Sequence, residues 1–212
     1  MMSFEIWQCS NASCRFRFPA EVGMQQAQRC PRCGQPTQVV GQVQENGEMG
    51  TAVPTPPPSS PPLAALLDNI RSIHNVGSMF RTADGAGLNH LYLCGITATP
   101  EHPKLAKAAL GAHEAIPWSQ WNNGVDTAVS LQAQGYTLWA IEATPQAEPL
   151  YEAEITLPGP TALIVGNEKA GVDPGLLTLC DRVFCLPMYG RKRSLNAAVA
   201  FGIAAYTIRA RG

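Results

Sequence analysis

Four cysteines near the amino terminus have the spacing of a metal site. Cys9, Cys14, Cys30 and Cys33 form the pattern C-x4-C-x15-C-x2-C, two close pairs separated by a longer loop. Two tight turns that each present two thiolates suit a tetrahedral zinc ion. Two disulfides are the alternative, but the opening residues lack the basic and apolar regions of an export signal, so we expect a reducing, cytoplasmic location. We therefore expect a structural zinc ion in a ribbon over residues 1–40.

A second candidate site is the stretch LPMYGRKRSLNAAVAFG, residues 186–202. A short strand is predicted before it and an Ala-rich helix within it, and the basic residues Arg191, Lys192 and Arg193 lie between them. Ser194 and Asn196 flank the predicted helix start. The carboxyl ends of strands in an open α/β sheet are where ligands bind, because loop backbone groups and helix amino termini are exposed there. The alternative is an ordinary capped connection with a solvated basic tip.

A carboxylate follows another predicted strand, TALIV. Glu168 lies in the segment GNEKAG between Gly166 and Gly171. At the same edge of the sheet it could orient a cationic partner, such as Arg81, or a bound ligand. A turn bounded by glycines is common after a strand, so this segment alone indicates little about function.

These side chains must be positioned by a core of alternating strands and helices. Helical spacing is seen over residues 63–70 and again over residues 71–88, with a helix stop at Gly85 or Gly87. Further strands are predicted at residues 90–94, 115–118, 136–142, 161–165 and 182–186, and further helices at residues 104–110, 125–134, 174–180 and 197–208. This alternation predicts an α/β fold with a mostly parallel sheet and helices on both faces.

Composition separates the two parts of the chain. Residues 41–62 contain no Lys, Arg or aromatic residue and end in six prolines within nine positions, which is typical of a linker. We therefore expect the ribbon at residues 1–40, the linker at 41–62 and the main domain at 63–212. The formal net charge of −1 excludes a polycation, and no apolar run reaches the roughly 18 residues that a membrane span needs.

Basic residues and aromatic rings lie close to the four cysteines of the ribbon. Its four arginines are Arg15, Arg17, Arg29 and Arg32, against two glutamates up to residue 40. A cationic surface with aromatic rings suits RNA. A ribbon of this size also needs its aromatics for a core and its arginines for solubility, so both interpretations stay open.

Three ordered motifs resemble the SpoU/TrmH branch of the SPOUT methyltransferases. They are DNIRSIHNVGSMFRTADGAG, ALIVGNEKAGV and LPMYGRKRSLNAAVAFGIAAY, and together they extend over roughly residues 67–209. Members of this branch transfer a methyl group from S-adenosylmethionine to a ribose 2′-hydroxyl of RNA. The resemblance implies a SPOUT trefoil knot, a homodimer packed through the knot domain, and tRNA or rRNA as substrate. The ribbon and the linker are not part of the usual pattern of the family.

The resemblance also implies roles for individual residues. The family's cofactor positions, which act largely through backbone groups, fall on Ala143, Thr144, Gly166, Leu186 and Leu195. Its functional polar positions fall on Asn75, Arg81, Glu168, Ser194 and Asn196. A guanidinium has no acceptor and stays protonated, so we expect Arg81 to stabilise developing alkoxide charge and not to act as a base. Asn75 and Glu168 would orient Arg81, while Ser194 and Asn196 would shape the loop over cofactor and ribose.

Two other functions fit the sequence. A SPOUT enzyme that methylates a base nitrogen would need a carboxylate to take a ring proton, and Glu168 could do so. A non-catalytic, zinc-ribbon RNA-binding protein would use the knot domain only to dimerise. The SLN segment at residues 194–196 favours the ribose over the base in this family.

Overall fold

The computed structural model describes residues 3–43 and 60–212, and each of these two ranges belongs to its own compact unit. Most of the linker predicted at residues 41–62 lies outside the described residues.

The smaller unit is a three-stranded antiparallel sheet with one 3-10 helix. Its elements are β1 (Phe4–Cys9), β2 (Arg17–Glu21), the 3-10 helix (Gln25–Gln28) and β3 (Thr37–Gln42). Strand β1 lies in the centre, between β2 and β3. Among the described residues 3–43, only four apolar residues are buried, and two of them are cysteines, Cys9 and Cys30. So small a core stabilises a module of this length only weakly, which is the usual situation of metal-dependent domains.

The larger unit alternates strands and helices along the chain. In order, its elements are β4 (Leu63–Asp68), α1 (Ile73–Gly85), β5 (His90–Cys94), α2 (Pro103–Ala109), α3 (Ala112–Ala115), β6 (Trp118–Trp121), α4 (Gly124–Ala133), β7 (Thr137–Ile141), β8 (Glu148–Pro149), β9 (Thr161–Val165), α5 (Pro174–Leu179), β10 (Arg182–Cys185) and α6 (Ala197–Arg211).

The strands form one seven-stranded sheet in the order β6-β5-β4-β9-β7-β10-β8, and every described pair in it is parallel. Strands β4 and β9 lie in the middle and are buried along their whole length. Continuous apolar strands are typical of a parallel sheet that is covered on both faces. Accordingly Ala65 and Leu67 pack with α1 and α6, while Leu66 packs with α4 and α5 on the opposite face. The predicted α/β class is confirmed.

Two of the predicted elements are wrong. Residues 63–68 form strand β4 and not a helix, because a short apolar run has no periodicity that distinguishes a buried strand from a buried helix. The strand predicted at residues 115–118 begins at Trp118 instead. Pro117, which has no N–H to donate to the sheet, directly precedes it. None of the described helices has the length and apolar content needed to cross a membrane.

We expect alanine substitutions at two helical glycines to change the stability of the larger unit in opposite directions. A Cβ at Gly77 of α1 would lie 2.5 Å from the Ala108 Cβ, whereas a Cβ at Gly202 of α6 would find its nearest neighbour, the Thr82 Oγ1, at 3.7 Å. We expect Gly77→Ala to lower the free energy of unfolding by about 1–3 kcal/mol because α1 and α2 must separate. Gly202→Ala should raise it by up to about 1 kcal/mol through helix propensity. Urea denaturation measures both, and equal effects of the two variants would contradict this packing.

Candidate functional site

The four ribbon cysteines converge on one point. Their Sγ atoms all lie within 4.8 Å of one another, with 3.4 Å between Cys9 and Cys33 and 3.8 Å between Cys14 and Cys30. A tetrahedral zinc ion with Zn–S bonds of about 2.3 Å separates its sulfur ligands by about 3.8 Å, whereas a disulfide needs about 2.0 Å. All four cysteines are free thiols. The donor set therefore fits a four-thiolate zinc site.

A first cavity lies in the larger unit where β7, β9 and β10 end and α6 begins. Its volume is about 260 Å³, slightly below the roughly 300–1,000 Å³ of most small-molecule sites. The predicted site residues in its wall are Ala143, Gly166, Glu168, Leu186, Ser194 and Leu195. Thr144 follows Ala143 in the chain but is not among the described residues that line the cavity.

The glycines of the GNEKAG segment are required by the tight loop that forms one wall. Asn167 and Gly171 exchange two backbone hydrogen bonds of 3.0 and 2.8 Å. Gly171 has a positive φ of 78°, and a Cβ on Gly166 would overlap the backbone of Gly171 and Val172. The side chain at position 168 is therefore held in one place at the edge of the sheet.

Glu142 is a structural residue of this cavity that the sequence analysis missed. One carboxylate oxygen accepts from the Val172 N–H at 2.8 Å, and the other accepts from the Ala143 N–H at 2.8 Å. The carboxylate thus joins the loop after β7 to the loop after β9. An acidic residue at a strand's carboxyl end was the only signal in the sequence, and its partner is 30 residues away.

A second cavity of about 510 Å³ adjoins the first, and Glu168, Lys169, Leu195 and Ala197 line both. The other residues in its wall are Arg71, Ser72, Asn75 and Asn196. Its lining is mostly polar, and it lies beside the amino termini of α1 and α6. The two cavities are therefore direct neighbours.

A chain of hydrogen bonds holds this wall together. The Glu168 Oε1 accepts from the Asn75 Nδ2 at 2.9 Å, and the Asn75 Oδ1 accepts from the Asn196 Nδ2 at 3.0 Å. The Asn196 Oδ1 in turn accepts from the backbone N–H groups of Ala198 and Val199, so Asn196 caps α6. The loop after β9, helix α1 and helix α6 are therefore joined through three side chains.

Glu168 also accepts two backbone hydrogen bonds, from the N–H of Arg71 at 2.8 Å and from the N–H of Ser72 at 3.0 Å. Partial burial acts to raise the pKa of Glu168, but these bonds and the one from Asn75 outweigh it. The net result is a pKa below the ordinary value, so the carboxylate is ionised at neutral pH.

Within the described residues of one chain, no hydrogen bond or ion pair joins Arg81 to Glu168 or Asn75, so their expected pairing stays a prediction. Ser72 is the N-cap of α1, so Asn75 lies inside the helix, six residues before Arg81. That spacing corresponds to about 9 Å along the axis and a different direction around it. Arg81 is exposed, and among the described residues it lines neither cavity.

Known proteins match this chain over its larger unit and share the α/β fold of that unit. A family model described as the SpoU rRNA Methylase family matches residues 62–206, and the ribbon lies outside that match. The chain is 37% identical over 144 residues to the 23S rRNA (guanosine-2′-O-)-methyltransferase RlmB of Pseudomonas syringae, covering 68% of this chain and 56% of the relative.

Two further relatives illustrate the range of substrates. The chain is 31% identical over 145 residues to a tRNA (guanosine(18)-2′-O)-methyltransferase of Aquifex aeolicus, covering 68% of this chain and 67% of the relative. An AdoMet-bound rRNA methyltransferase structure from Sinorhizobium meliloti superposes with a TM-score of 0.66 at 27% identity, covering 74% of this chain and 58% of the other. The chain thus spans a little over half the length of the first curated relatives that it matches.

The zinc site predicts a metal-dependent ribbon. The purified chain should contain one zinc ion, and replacing Cys30 and Cys33 by Ser should remove it and unfold the ribbon, since thiolate coordination supplies most of the folding free energy of such modules. Metal analysis and the dispersion of amide NMR signals measure the two effects. Cys180→Ser, outside the ribbon, is the control and should keep the zinc. Full zinc content in the double variant would contradict the site.

The hydrogen bonds of Glu168 predict a pH-dependent contribution to stability. Because its folded pKa is lowered, its stabilisation is present above the ordinary value of 4.5 and is lost as pH falls through the folded pKa. Glu168→Gln, which places an amide NH₂ against N–H donors, should lower the free energy of unfolding by about 1 kcal/mol at pH 7, a modest figure because the side chain is exposed. The difference should shrink below pH 4.5. A difference that stays constant from pH 7 to pH 3 would exclude this role.

Proposed function

Because the chain belongs to the SpoU rRNA methylase family, we propose that it transfers the methyl group of S-adenosylmethionine to a ribose 2′-hydroxyl of RNA. The observation that carries this proposal is the pair of adjoining cavities, since two ligands that react with each other must be in direct contact and neighbouring cavities allow this. The residues that line both cavities include Glu168, which accepts hydrogen bonds from three N–H donors.

The first cavity suits the cofactor. Its apolar side chains, which include Ile141, Val165 and Met188, can contact an adenine ring, while backbone groups of the three loops supply donors and acceptors. We propose that Ala143, Thr144, Gly166, Leu186 and Leu195 hold S-adenosylmethionine. When bound, it would supply a methyl group on a sulfonium, which leaves as a neutral thioether without help from a metal ion. We therefore propose that a zinc ion in the ribbon has a structural role.

The chain's own residues position the acceptor and stabilise its charge. The ribose oxygen forms a bond to the methyl carbon as the carbon–sulfur bond breaks, and its proton leaves to water or a phosphate oxygen. Ser194 in the wall of the first cavity and Asn196 in the wall of the second lie on the two sides of this contact. Glu168, held by three N–H donors and ionised, fixes Asn75 and thereby Asn196.

A homodimer would place Arg81 at a partner's site. Helix α6 exposes apolar side chains with helical spacing, with Val199 and Tyr206 50% and 53% exposed, next to Leu195 at 39%. An exposed apolar stripe of this kind favours a protein interface. Arg81 lies on α1, which packs beside α6. We propose that two copies pack through α1 and α6, and that each Arg81 stabilises alkoxide charge in the other copy's site.

Methylation of a base nitrogen is less well supported. That reaction would use Glu168 as the group that takes a ring proton. Glu168 instead has both oxygens engaged by N–H donors and a lowered pKa, which makes it a weak base. The relatives named above act on rRNA or tRNA, and we propose one of these two classes as the substrate, in the cytoplasm.

Product analysis tests the function directly. Wild-type protein incubated with tritiated S-adenosylmethionine and total RNA should give a labelled 2′-O-methylated nucleoside after digestion to nucleosides. Label found only in a methylated base would contradict the ribose assignment. Absence of label together with absence of cofactor binding in calorimetry would contradict the enzyme.

Arg81 variants test the role across the dimer. Arg81→Ala should lower turnover about 100- to 1,000-fold with little change in cofactor affinity, and Arg81→Lys should keep part of the activity.

A mixture of Arg81→Ala and Glu168→Ala chains should recover about a quarter of wild-type turnover, since half of randomly assembled dimers then carry one complete site. No recovery on mixing, with both variants folded and dimeric, would place Arg81 outside the partner's site.

A further inference from the structure

Two cationic side chains line the second cavity, those of Arg71 and Lys169. Both residues are exposed, and neither takes part in an ion pair with any residue in the described ranges, 3–43 and 60–212. Resting on the methyl transfer proposed above, we propose that Arg71 and Lys169 bind the phosphodiester next to the ribose that is methylated.

Backbone hydrogen bonds hold the two cations in a defined relation to each other. The Arg71 N–H donates to the Glu168 Oε2 at 2.8 Å, and the Lys169 N–H donates to the Asn167 Oδ1 at 2.9 Å. The Asn167 Nδ2 then donates to the Asn69 carbonyl oxygen at 2.7 Å, which joins the loop after β9 to the loop after β4. The backbone at both positions is therefore already ordered, so binding a ligand costs side-chain entropy but little backbone entropy.

The charge of the cavity matches a phosphodiester. Arg71 and Lys169 contribute two positive charges and Glu168 contributes one negative charge, which leaves a formal charge of +1 among the residues of the wall. Within the described residues Glu168 forms no ion pair with either cation, and its oxygens accept from three N–H donors instead. An RNA phosphodiester carries a single negative charge, and Arg and Lys are its usual ligands.

The position of the two cations relative to the first cavity fits the reaction. In RNA each ribose 2′-hydroxyl lies next to the 3′-phosphodiester of the same nucleotide. Lys169 lines both cavities, whereas Arg71 lines only the second. A phosphate held between them would place the 2′-oxygen of the same nucleotide where the two cavities meet, facing the methyl group of a cofactor in the first cavity. The two side chains are thus binding residues for the acceptor and not proton acceptors.

The binding test uses a fluorescein-labelled 15-nucleotide RNA of mixed sequence and anisotropy at several salt concentrations. Arg71→Ala and Lys169→Ala should each weaken binding about tenfold at low salt. Each should also reduce the slope of log K against log salt by about 0.7, the value for one lost phosphate contact on a single strand. Arg211→Ala removes one positive charge at the carboxyl end of α6, about 21 Å along the helix axis from Ala197. It should change binding less than twofold.

Cofactor calorimetry and steady-state kinetics distinguish a phosphate site from a cofactor site and from a failure of the proposed methyl transfer. Lys169 also borders the first cavity and could instead bind the carboxylate of S-adenosylmethionine, so calorimetry should show cofactor affinity unchanged in both variants. With methyl transfer established, the KM for RNA should rise about tenfold with kcat within about twofold of wild type. If wild type transfers no methyl group but the two variants still lose RNA affinity and salt slope, the proposed function fails and the phosphate site stands.

Three results would overturn the phosphate site. The first is unchanged RNA affinity and salt slope in both variants. The second is an equal loss in Arg211→Ala, which would indicate general electrostatic attraction. The third is a loss of cofactor affinity in Lys169→Ala with normal RNA binding, which would assign Lys169 to the cofactor.

Discussion

The carboxylate of Glu168 is the group on which the arrangement of both cavities depends. It accepts hydrogen bonds from two backbone N–H groups at the entry to α1 and from the side chain of Asn75. A negative charge beside the amino terminus of a helix is favourable, and N–H groups that lack a partner in the helix satisfy it. Through Asn75 the same constraint reaches Asn196 and the start of α6. One side chain on a tight loop thus positions two helices.

This arrangement explains why the site lies where it does in the sheet. Strands β4, β9, β7 and β10 are consecutive in the sheet and run in the same direction, so their carboxyl ends lie at one edge. Loops from distant parts of the chain therefore meet there, and polar side chains hold them together. Glu142 joins two of these loops in the same manner as Glu168. Both carboxylates are held by N–H donors, and among the described residues neither forms an ion pair with a nearby cation.

The sequence predicted local features well and contacts across the sheet poorly. The helix that Asp173 caps and the helix that begins after Asn196 were recognised because capping residues lie within a few positions of them. Strands β4 and β9 are both buried on two faces, but β9 contains the β-branched residues Thr, Ile and Val between Pro160 and Gly166, whereas the apolar run of β4 contains only Leu and Ala, which also favour helices. The contact of Glu168 with Asn75 was not recognised, since the closing of a loop onto a helix 93 residues away leaves no periodic signal. The four cysteines converge as their spacing predicted, because each pair is close in sequence. A zinc ion held by four thiolates would have a formal charge of −2, which nearby arginines would offset.

A double-mutant cycle on Asn75 and Asn196 tests most directly whether one hydrogen-bonded unit holds the two cavities together. The free energy of unfolding would be measured for Asn75→Ala, Asn196→Ala and the double variant at one protein concentration. If the two side chains act as a unit, the losses should fail to add by about 0.5–3 kcal/mol, because either single substitution already breaks the connection between α1 and α6. Losses that add within about 0.3 kcal/mol would show that the two helices are positioned independently and would contradict this account.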